Sequence, residues 1–355
     1  MKKTARLKVA CVGAGYFSQF HYQAWQRMRD VEIVAICNRD IVAAQQIAKN
    51  YGIPKCYSDI RTMLEAVEVD LIDIITPPIT HKSAVETAIE LGVNVICQKP
   101  FAENLAQAEG LVSAAKAAGI SLCIHENFRF MPWMRKIAQL LNKDLFGDIY
   151  NVRFAMRTGD GQGSDAYLAR QPYFQTMPKL LIHETAVHFI DCFRYLFGEP
   201  DSLYASLKRC NPVIKGEDAG LVIFEYPKGM TVTFDGNRLL DHASSNPRRT
   251  FGEMMIEGTK ATLRLDGEGR IYIRQFTELE EVEQQYHWQD KGFGGDCVYA
   301  LNRHVADHFL KGTVLENSAE QYLKNIRLEE AIYQSHTQGR RIVLQPDLNI
   351  NNFGD

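Results

Sequence analysis

The sequence predicts an α/β protein of two domains, the first built on a doubly wound parallel sheet and the second on a large, mostly antiparallel open sheet. Strands and helices alternate over the first part of the chain, which is the pattern of parallel strands joined by crossover helices. From about Ile149, strand-length segments instead follow one another between Pro, Gly and Asp turns. A chain of 355 residues also exceeds one ordinary core. We therefore expect domains over residues 1–126 and 127–355, with C-terminal helices able to pack back on the first domain.

The composition is that of a globular protein, with 46% hydrophobic residues and a net charge of −3. No long basic run concentrates the 40 Lys and Arg residues, so nucleic acid is not an expected partner. The eight cysteines form no Cys-x-x-Cys pair and lie mostly in apolar runs, as expected in a reducing compartment. Glycines interrupt the apolar run after the charged segment Met1–Arg6, which predicts neither a signal peptide nor a membrane span. We expect a cytoplasmic protein with no membrane partner.

The first strand leads directly into a glycine-rich turn. Leu7–Val12 is strand-like, and Gly13 and Gly15 follow it, ahead of a helix that begins near Gln19. Two glycines in this context let the backbone turn tightly and approach a pyrophosphate at a helix N-terminus. Ser18 replaces the third glycine of the fingerprint and is still small enough for close helix–strand packing. The turn, which includes Tyr16 and Phe17, is therefore expected to bind a dinucleotide.

The second strand, Glu32–Cys37, ends in Asn38-Arg39-Asp40. An acid at this strand end usually holds the ribose 2′-hydroxyl of NAD, whereas an arginine suits the 2′-phosphate of NADP. Asn38 and Arg39 permit NADP, and Asp40 permits NAD unless it only caps the helix that follows. The sequence leaves the two cofactors as alternatives.

Three later strands of the first domain also end in polar residues. These strand ends carry Thr76-Pro77, Gln98-Lys99-Pro100 and His125. Because parallel strands end at one edge of the sheet, where open α/β sheets bind ligands, these residues should share that edge with Gly13 and Asn38. Pro100 stiffens the exit of its strand and holds the Lys99 ammonium close to the edge.

One segment of the second half carries a polar stripe. Leu181–Phe197 is predicted to form a helix ending at Gly198. On an α-helix, the spacing i, i+4, i+7, i+11 places four polar residues on one face: Glu184, His188, Asp191 and Tyr195. A solvated face would usually carry lysines, so this stripe is more typical of a site. His183 and His188 are five apart and diverge around an α-helix, so the zinc-binding His-Glu-x-x-His arrangement is absent and no metal is expected.

Together these motifs resemble those of the Gfo/Idh/MocA family of NAD(P)-dependent oxidoreductases, over nearly the whole chain. The family's Glu-Lys-Pro motif matches Gln98-Lys99-Pro100, its Asp-x-x-x-His motif matches Glu184 and His188, its Thr-Pro-x-x-x-His stretch matches Thr76, Pro77 and His81, and its Asn-x-Arg-Phe matches Asn127–Phe130. The resemblance implies a Rossmann domain followed by an α/β domain whose open sheet often mediates oligomers. It also implies cofactor contacts from Gly13, Gly15, Tyr16, Phe17, Asn38, Arg39, Asp40, Thr76, Pro77, His81, Gln98 and Lys99.

Two positions depart from the family pattern. Gln98 replaces a glutamate, which removes a charge near the nicotinamide ribose while leaving hydrogen bonding possible. Glu184 replaces an aspartate and lengthens the carboxylate arm by one methylene. Neither change removes the groups that transfer protons.

The resemblance implies oxidation of a secondary alcohol or an anomeric hydroxyl by hydride transfer to nicotinamide. His188 is the candidate general base, because imidazole titrates near neutral pH. Lys99 would hold the substrate oxygen and share the proton, and it is the alternative base. Glu184 would orient the substrate or Lys99.

Two stretches of the second domain suit a lid that binds hydroxyls or a carboxylate. Arg157–Gly161 and Tyr167–Phe174 combine arginines with glycines and aromatic residues. Arg157 and Arg170 could equally pair with surface acids. The expected substrate-binding residues are Lys99, Asn127, Arg129, Arg157, Arg170, Tyr173, His183, Glu184 and His188.

The leading functional hypothesis is an NAD(P)-dependent dehydrogenase (EC 1.1.1.-) of the family's sugar dehydrogenase branch. It would oxidise a sugar or related polyol, either an aldose to a lactone or a secondary alcohol to a ketone. One alternative is a glycoside hydrolase that uses tightly bound NAD in transient redox. Another is a non-catalytic nucleotide-sensing regulator, against which the retention of Lys99 and His188 argues. The expected partners are a small-molecule carbohydrate and further copies of the chain in a dimer or tetramer.

Overall fold

The computed structural model describes residues 6–344, so most of the charged segment Met1–Arg6 lies outside the described residues. The chain forms two compact units. The first comprises the described residues up to Met131 together with Asp290–Ile326, and the second comprises Pro132–Gln289 together with the described residues from Arg327 onward. Within the described residues, no helix has both the length and the apolar character needed to cross a membrane.

The first unit contains a six-stranded sheet in the order β3-β2-β1-β4-β5-β6, and all of its pairings are parallel. Its strands are β1 (Leu7–Val12), β2 (Val31–Cys37), β3 (Cys56–Tyr57), β4 (Leu71–Ile74), β5 (Asn94–Gln98) and β6 (Leu122–His125). Its helices are α1 (Ser18–Gln26), α2 (Ile41–Tyr51), α3 (Ile60–Ala66), α4 (His81–Glu90), α5 (Leu105–Ala117) and, from the later part of the chain, α8 (Cys297–Lys311). The predicted doubly wound parallel sheet is confirmed.

Local sequence explains where several of these helices begin and end. The side chains of Asp40, Asp59 and Asn104 accept hydrogen bonds from backbone N–H groups in the first turns of α2, α3 and α5. Such N-caps satisfy donors that have no partner inside the helix. Gly52 ends α2 in the left-handed conformation with φ +65°, which a residue with a side chain rarely adopts.

The parallel register brings the strand ends to one edge of the sheet. Val12 at the end of β1 pairs with Ile74 at the end of β4, and Gln98 at the end of β5 pairs with His125 at the end of β6. The strand order reverses between β1 and β4, which makes this the switch point where open α/β sheets bind ligands.

The second unit contains a nine-stranded sheet in the order β14-β13-β12-β11-β7-β10-β9-β8-β15. Its strands are β7 (Ile149–Arg157), β8 (Ser202–Lys208), β9 (Ala219–Glu225), β10 (Thr231–Asn237), β11 (Gly252–Gly258), β12 (Ala261–Leu265), β13 (Ile271–Gln275), β14 (Val282–Glu283) and β15 (Ile342–Val343). The pairing of β7 with β10 is parallel and the other seven pairings are antiparallel, which confirms the predicted mostly antiparallel sheet. The helices here are α6 (Pro132–Leu141) and α7 (Val187–Phe197), and α9 (Ala319–Gln338) crosses the division at residue 326.

Aromatic side chains join α7 to the second sheet. The rings of Phe189 on α7 and Phe154 on β7 stack at 4.1 Å between centroids. Phe193, one turn further along α7, meets Phe224 of β9 edge-on at 6.1 Å. Burial of this apolar face fixes the rotation of α7 about its axis.

The segment predicted as one helix, Leu181–Phe197, is helical throughout but not uniformly α-helical. Leu181–Ala186 is a π-helical turn, and the Val187 N–H donates to the carbonyl of Ile182, five residues back. The prediction that Glu184 lies in an α-helix is therefore wrong. Glu184 lies in the wider π-helical turn, which changes its angular position relative to the residues of α7. Asp191, predicted on the same stripe, is 2% exposed, so this part of the stripe is not solvated.

Candidate active site

The glycine turn of the first unit is shaped for close approach by another group. Gly13 has φ +121°, and a Cβ there would lie 2.7 Å from the Ile75 carbonyl oxygen, whereas a Cβ at Gly15 would meet nothing within 4 Å. The Ser18 hydroxyl donates to the Gly15 carbonyl at 2.7 Å, which closes the turn. Within the described part of the chain, no side chain caps the first turn of α1. Its backbone N–H groups therefore fit the pyrophosphate of a dinucleotide.

The two aromatic residues of this turn differ in their surroundings. Tyr16 is 58% exposed. Phe17 packs against Phe20 at 5.3 Å and against His21 at 5.7 Å, between ring centroids. Tyr16 is thus accessible to a cofactor, while Phe17 is held in place by α1.

Asp40 at the end of β2 is the N-cap of α2. Its Oδ1 accepts from the N–H groups of Val42 at 2.9 Å and Ala43 at 3.3 Å. The Asn38 side-chain amide donates to the Asp40 carbonyl at 2.9 Å, and Arg39 is exposed. One carboxylate oxygen of Asp40 therefore caps α2, as the sequence analysis allowed.

His81 ties the exits of β4 and β5 together. Its Nε2 lies 2.8 Å from the Thr76 carbonyl oxygen and its Nδ1 lies 2.9 Å from that of Pro100. Burial lowers the pKa of His81, and the hydrogen bonds to backbone carbonyls only partly oppose this. The Thr80 hydroxyl donates to that of Thr76 at 2.7 Å and completes the exit of β4. Because both of its ring nitrogens are engaged by backbone carbonyls, His81 is suited to holding the two strand exits in place.

Gln98 connects Lys99 to a buried histidine. The Lys99 backbone N–H donates to Gln98 Oε1 at 2.8 Å, and Gln98 Nε2 lies 3.2 Å from His21 Nε2. His21 Nδ1 in turn lies 2.9 Å from Asp73 Oδ2. Lys99 itself is half-buried at the exit of β5. The expected cofactor residue Gln98 therefore belongs to a chain of polar groups that runs into the sheet.

The residues after β6 are more buried than a substrate-binding role suggests. Asn127 is 3% exposed and Arg129 is 9% exposed. The Asn127 side chain donates to Cys297 Sγ of α8 at 3.4 Å. His125 stacks on His21 with 4.0 Å between ring centroids. The first unit thus uses this stretch mainly for its own packing.

In the second unit, the π-helical turn carries Glu184 and leads into His188. The Thr185 hydroxyl donates to Glu184 Oε2 at 2.6 Å. The side chain of Glu184 is 18% exposed, and His188 is 7% exposed. Turns of this type are frequent at functional sites because they change the phase of the side chains that follow.

Arg238, which directly follows β10, organises the polar groups around Glu184. Its guanidinium donates to Asp160 Oδ2 at 2.9 Å, to the Tyr167 hydroxyl at 2.8 Å and to the Thr185 hydroxyl at 2.5 Å. It also lies 3.7 Å from Glu184 Oε2, and its side chain is only 3% exposed. The sequence analysis did not identify Arg238, and it links the loop after β7 to the π-helical turn.

The charge of Arg238 controls the ionisation of Asp160. Burial alone would raise the pKa of Asp160, but the guanidinium of Arg238, helped by Thr158 and Arg170, holds this pKa below its ordinary value. The neighbouring acids likewise raise the pKa of Arg238 despite its burial. Both groups therefore stay charged at neutral pH.

The two arginines expected in a lid both pair with acids. Arg157 lies 2.5 Å from Asp235, and Arg170 lies 3.3 Å from Asp160. Tyr173, expected in the same lid, is 55% exposed. Arg157 pairs with a surface acid, which is the alternative to a lid role, whereas Arg170 contacts the same carboxylate as Arg238.

His183 has a carboxylate partner on α9. Its Nδ1 lies 2.7 Å from Glu329 Oε1, with the histidine side chain 24% exposed and the glutamate 9%. A carboxylate at one ring nitrogen orients an imidazole and fixes which nitrogen carries the proton. Glu329 lies far along the sequence from His183, and no spacing signal in the sequence relates the two residues.

No group of three or more His, Cys, Asp or Glu side chains that could hold a metal ion occurs within residues 6–344.

Comparison with known proteins places the chain in a family. A family model described as "Oxidoreductase family, NAD-binding Rossmann fold" matches residues 7–125. A second, the "GFO/IDH/MocA C-terminal domain", matches residues 134–264. The chain belongs to the GFO/IDH/MocA oxidoreductase family. The predicted family is confirmed, and the cofactor of its Rossmann model is NAD.

Several relatives match nearly the whole chain. A D-apiose dehydrogenase from Paraburkholderia graminis is 32% identical over 347 residues, covering 96% of this chain and 90% of the relative. A D-apiose dehydrogenase from Rhizobium rhizogenes is 30% identical over 343 residues, covering 95% and 97%. Among solved structures, an oxidoreductase from Agrobacterium radiobacter in complex with NAD+, L-tartaric acid and magnesium has a TM-score of 0.86 at 28% identity, covering 96% of this chain and 98% of that one.

The first unit has the features that NAD requires. Gly13 leaves no room for a Cβ, whereas the space at Gly15 is open. The exposed Tyr16, the first turn of α1 and the ends of β4 and β5 lie around the same sheet edge. These residues would hold the pyrophosphate and the nicotinamide half of the cofactor.

Proposed function

We propose that this oxidoreductase uses NAD to oxidise a sugar or a closely related polyol at a secondary or anomeric hydroxyl. The observation that carries the proposal is the retention of proton-transfer groups in both units. Lys99 stands at the exit of β5 on the dinucleotide edge, and His188 lies in the first turn of α7, four residues after Glu184. A nucleotide sensor would need none of these groups.

The reaction removes two hydrogens from the alcohol. The hydroxyl hydrogen leaves as a proton, and the hydrogen on the same carbon leaves as a hydride. The carbon–hydrogen bond and the oxygen–hydrogen bond of the substrate break, and a carbon–oxygen double bond forms. When bound, NAD would supply the two-electron acceptor that takes up the hydride. His188 takes the proton as general base, with Lys99 as the alternative base and as the group that holds the substrate oxygen. Glu184 orients the substrate through its carboxylate.

The chemistry around Glu184 supports a substrate rich in hydroxyl groups. Arg238 and Thr185 already hold one oxygen of Glu184, so the carboxylate is fixed in an acceptor position. Carboxylates in fixed positions accept hydrogen bonds from sugar hydroxyls. The sequence pattern resembles that of D-apiose dehydrogenases, and two such enzymes are among the relatives of this chain. D-Apiose is therefore the first substrate to test.

We further propose a homo-oligomer that acts in the cytoplasm. The face of the second sheet exposes apolar side chains such as Tyr204 at 39% and Leu221 at 38%, which suit burial against another copy. The eight cysteines are free thiols, as expected in a reducing compartment. Light scattering of the purified protein tests the assembly, since a monomer at micromolar concentration would contradict it.

The experiment that tests the proposed function is a panel assay of nicotinamide reduction. D-Apiose, other aldoses, cyclitols and sugar acids are each incubated with NAD or NADP and the purified protein, and the absorbance of reduced nicotinamide is followed. We expect turnover with at least one sugar, greater with NAD than with NADP, and a loss of at least about 100-fold in His188→Ala and Lys99→Ala. Binding of NAD without turnover of any panel member would favour a sensor. Glycoside cleavage without net NADH would favour a redox-assisted hydrolase.

A further inference from the structure

A carboxylate lies inside the parallel sheet of the first unit. Asp73 is on β4 and is 0% exposed, between Cys11 of β1 and Ile96 of β5 in the sheet register. Its Oδ2 accepts from His21 Nδ1 at 2.9 Å and from Trp25 Nε1 at 2.7 Å. Its Oδ1 has no hydrogen-bond partner among residues 6–344. A buried carboxylate with one unsatisfied oxygen lowers the stability of the fold, so a functional reason for it is expected.

The hydrogen bonds fix the proton positions along the chain from Asp73 to Lys99. Gln98 Oε1 accepts from the Lys99 N–H, so the amide nitrogen of Gln98 faces His21. That nitrogen can only donate, and therefore His21 Nε2 must accept. The remaining ring proton lies on His21 Nδ1 and is donated to Asp73. These hydrogen bonds are those of an imidazole that accepts at Nε2 and donates at Nδ1 to Asp73 Oδ2.

The negative charge of Asp73 influences its surroundings. Burial is the main cause that raises the pKa of the Cys11 and Cys97 thiols, and the carboxylate of Asp73 raises both further. Cys11 lies two residues before Gly13, and Cys97 lies two residues before Lys99. The field of Asp73 thus reaches the strands that supply the cofactor edge.

We infer that Asp73, with His21 and Gln98, is a positioning and electrostatic element that favours oxidised over reduced NAD and holds Lys99 at the strand exit. In the resembled motif, the residue before the lysine is a glutamate, and here it is the neutral Gln98. In this chain the negative charge belongs to Asp73, which is buried on β4. Hydrogen bonds through His21 and Gln98 connect its carboxylate to the Lys99 backbone. A fixed negative charge stabilises the cationic oxidised nicotinamide more than the neutral reduced form. The inference rests on NAD binding and not on the identity of the substrate.

The test compares the affinities for NAD+ and NADH in two variants at this buried carboxylate. Asp73→Asn removes the charge, whereas Trp25→Phe removes one hydrogen bond to the same oxygen and keeps the charge. We expect Asp73→Asn to lower the affinity for NAD+ relative to that for NADH by about tenfold, the effect of two unit charges about 12 Å apart at an effective dielectric constant near 20. The ratio in Trp25→Phe should stay within about twofold of wild type. Both dissociation constants come from fluorescence titration and competition, and an unchanged ratio in Asp73→Asn would overturn the inference.

A measurement on the unmodified protein keeps the inference testable should Asp73→Asn fail to fold. Nitrogen-15 NMR of histidine-labelled protein, compared with a His21→Gln sample for assignment, reports which ring nitrogen of His21 is protonated. We expect the neutral tautomer with the proton on Nδ1 at neutral pH. A proton on Nε2 alone would break the chain to Gln98 and overturn the inference. Substrate turnover plays no part in either measurement, so a failure here leaves the proposed sugar oxidation to its own assay.

Discussion

Replacing Arg238 by methionine should destabilise the second unit strongly. Its side chain is 3% exposed and that of its partner Asp160 is 23% exposed. Methionine fills much of the space but leaves Asp160 with only Arg170, at 3.3 Å, as a cation, and it removes the donor to the hydroxyls of Tyr167 and Thr185. Removing one partner of a buried ion pair costs about 3–5 kcal/mol. Because Asp160 remains partly exposed, we expect the loss of unfolding free energy to lie at the lower end of this range, about 3 kcal/mol.

A second arginine of the same unit provides the matched control. Arg157 lies 2.5 Å from Asp235, but the side chain of Asp235 is 41% exposed. An ion pair with one partner in solvent contributes about 0–1 kcal/mol, so Arg157→Met should cost much less than Arg238→Met. Adding Asp160→Asn to Arg238→Met should restore part of the stability, because the partly buried charge that Arg170 alone would compensate is then gone.

Thermal and chemical unfolding measure these differences. At about 2–4 °C per kcal/mol for a unit of this size, Arg238→Met should lower the Tm by about 6–12 °C. Arg157→Met should lower it by less than about 4 °C. Equal losses in the two variants would refute the claim that Arg238 organises a buried cluster. A further fall in Tm on adding Asp160→Asn would refute the claim that the charge of Asp160 destabilises Arg238→Met.

Three further predictions concern individual residues. Gly13→Ala should weaken NAD binding at least about tenfold and also lower the Tm, because of backbone strain at positive φ, whereas Gly15→Ala, whose Cβ meets no atom within 4 Å, should weaken NAD binding while leaving the Tm of the free protein nearly unchanged. Because burial lowers the folded pKa of His81 below its unfolded value near 6.5, the unfolded state binds more protons. Its contribution to stability is present above about pH 6.5 and lost as pH falls below that value, so the pH slope of the Tm should flatten in His81→Asn. Glu329→Gln should raise KM more than it lowers kcat, because His183 loses the carboxylate that orients its ring, and an unchanged KM would assign the pair a packing role.

The fold of the first unit could be predicted closely because its signals are local. Helix caps such as Asp40 and Asn104, strand-length apolar runs and the glycine turn each act within a few residues. Register then follows from the parallel topology, which brings Gly13 and Lys99 to one sheet edge without any further information. The mostly antiparallel sheet was likewise evident from its turns, although the parallel pairing of β7 with β10 was not.

The polar networks could not be predicted, because their partners are distant in sequence. Arg238 meets Asp160 across 78 positions, and His183 meets Glu329 across 146. The π-helical turn before His188 has no recognised sequence signal and changed the phase of the predicted stripe. One signal was present in the sequence, since Asp73 interrupts the apolar run of β4 and an acid inside a buried strand calls for a partner. That partner, His21, is brought close only by the fold.

The most direct test of the central claim follows the hydride itself. D-Apiose, or the best sugar of the panel, is prepared with deuterium on the carbon that bears the reacting hydroxyl and is incubated with the protein and NAD. The account predicts deuterium in the reduced nicotinamide, one atom for each carbonyl product formed, and transfer at least about 100-fold slower in His188→Ala. Release of a cleaved glycoside with deuterium returned to the sugar, or tight NAD binding with no transfer for any substrate, would contradict the assignment as a sugar dehydrogenase.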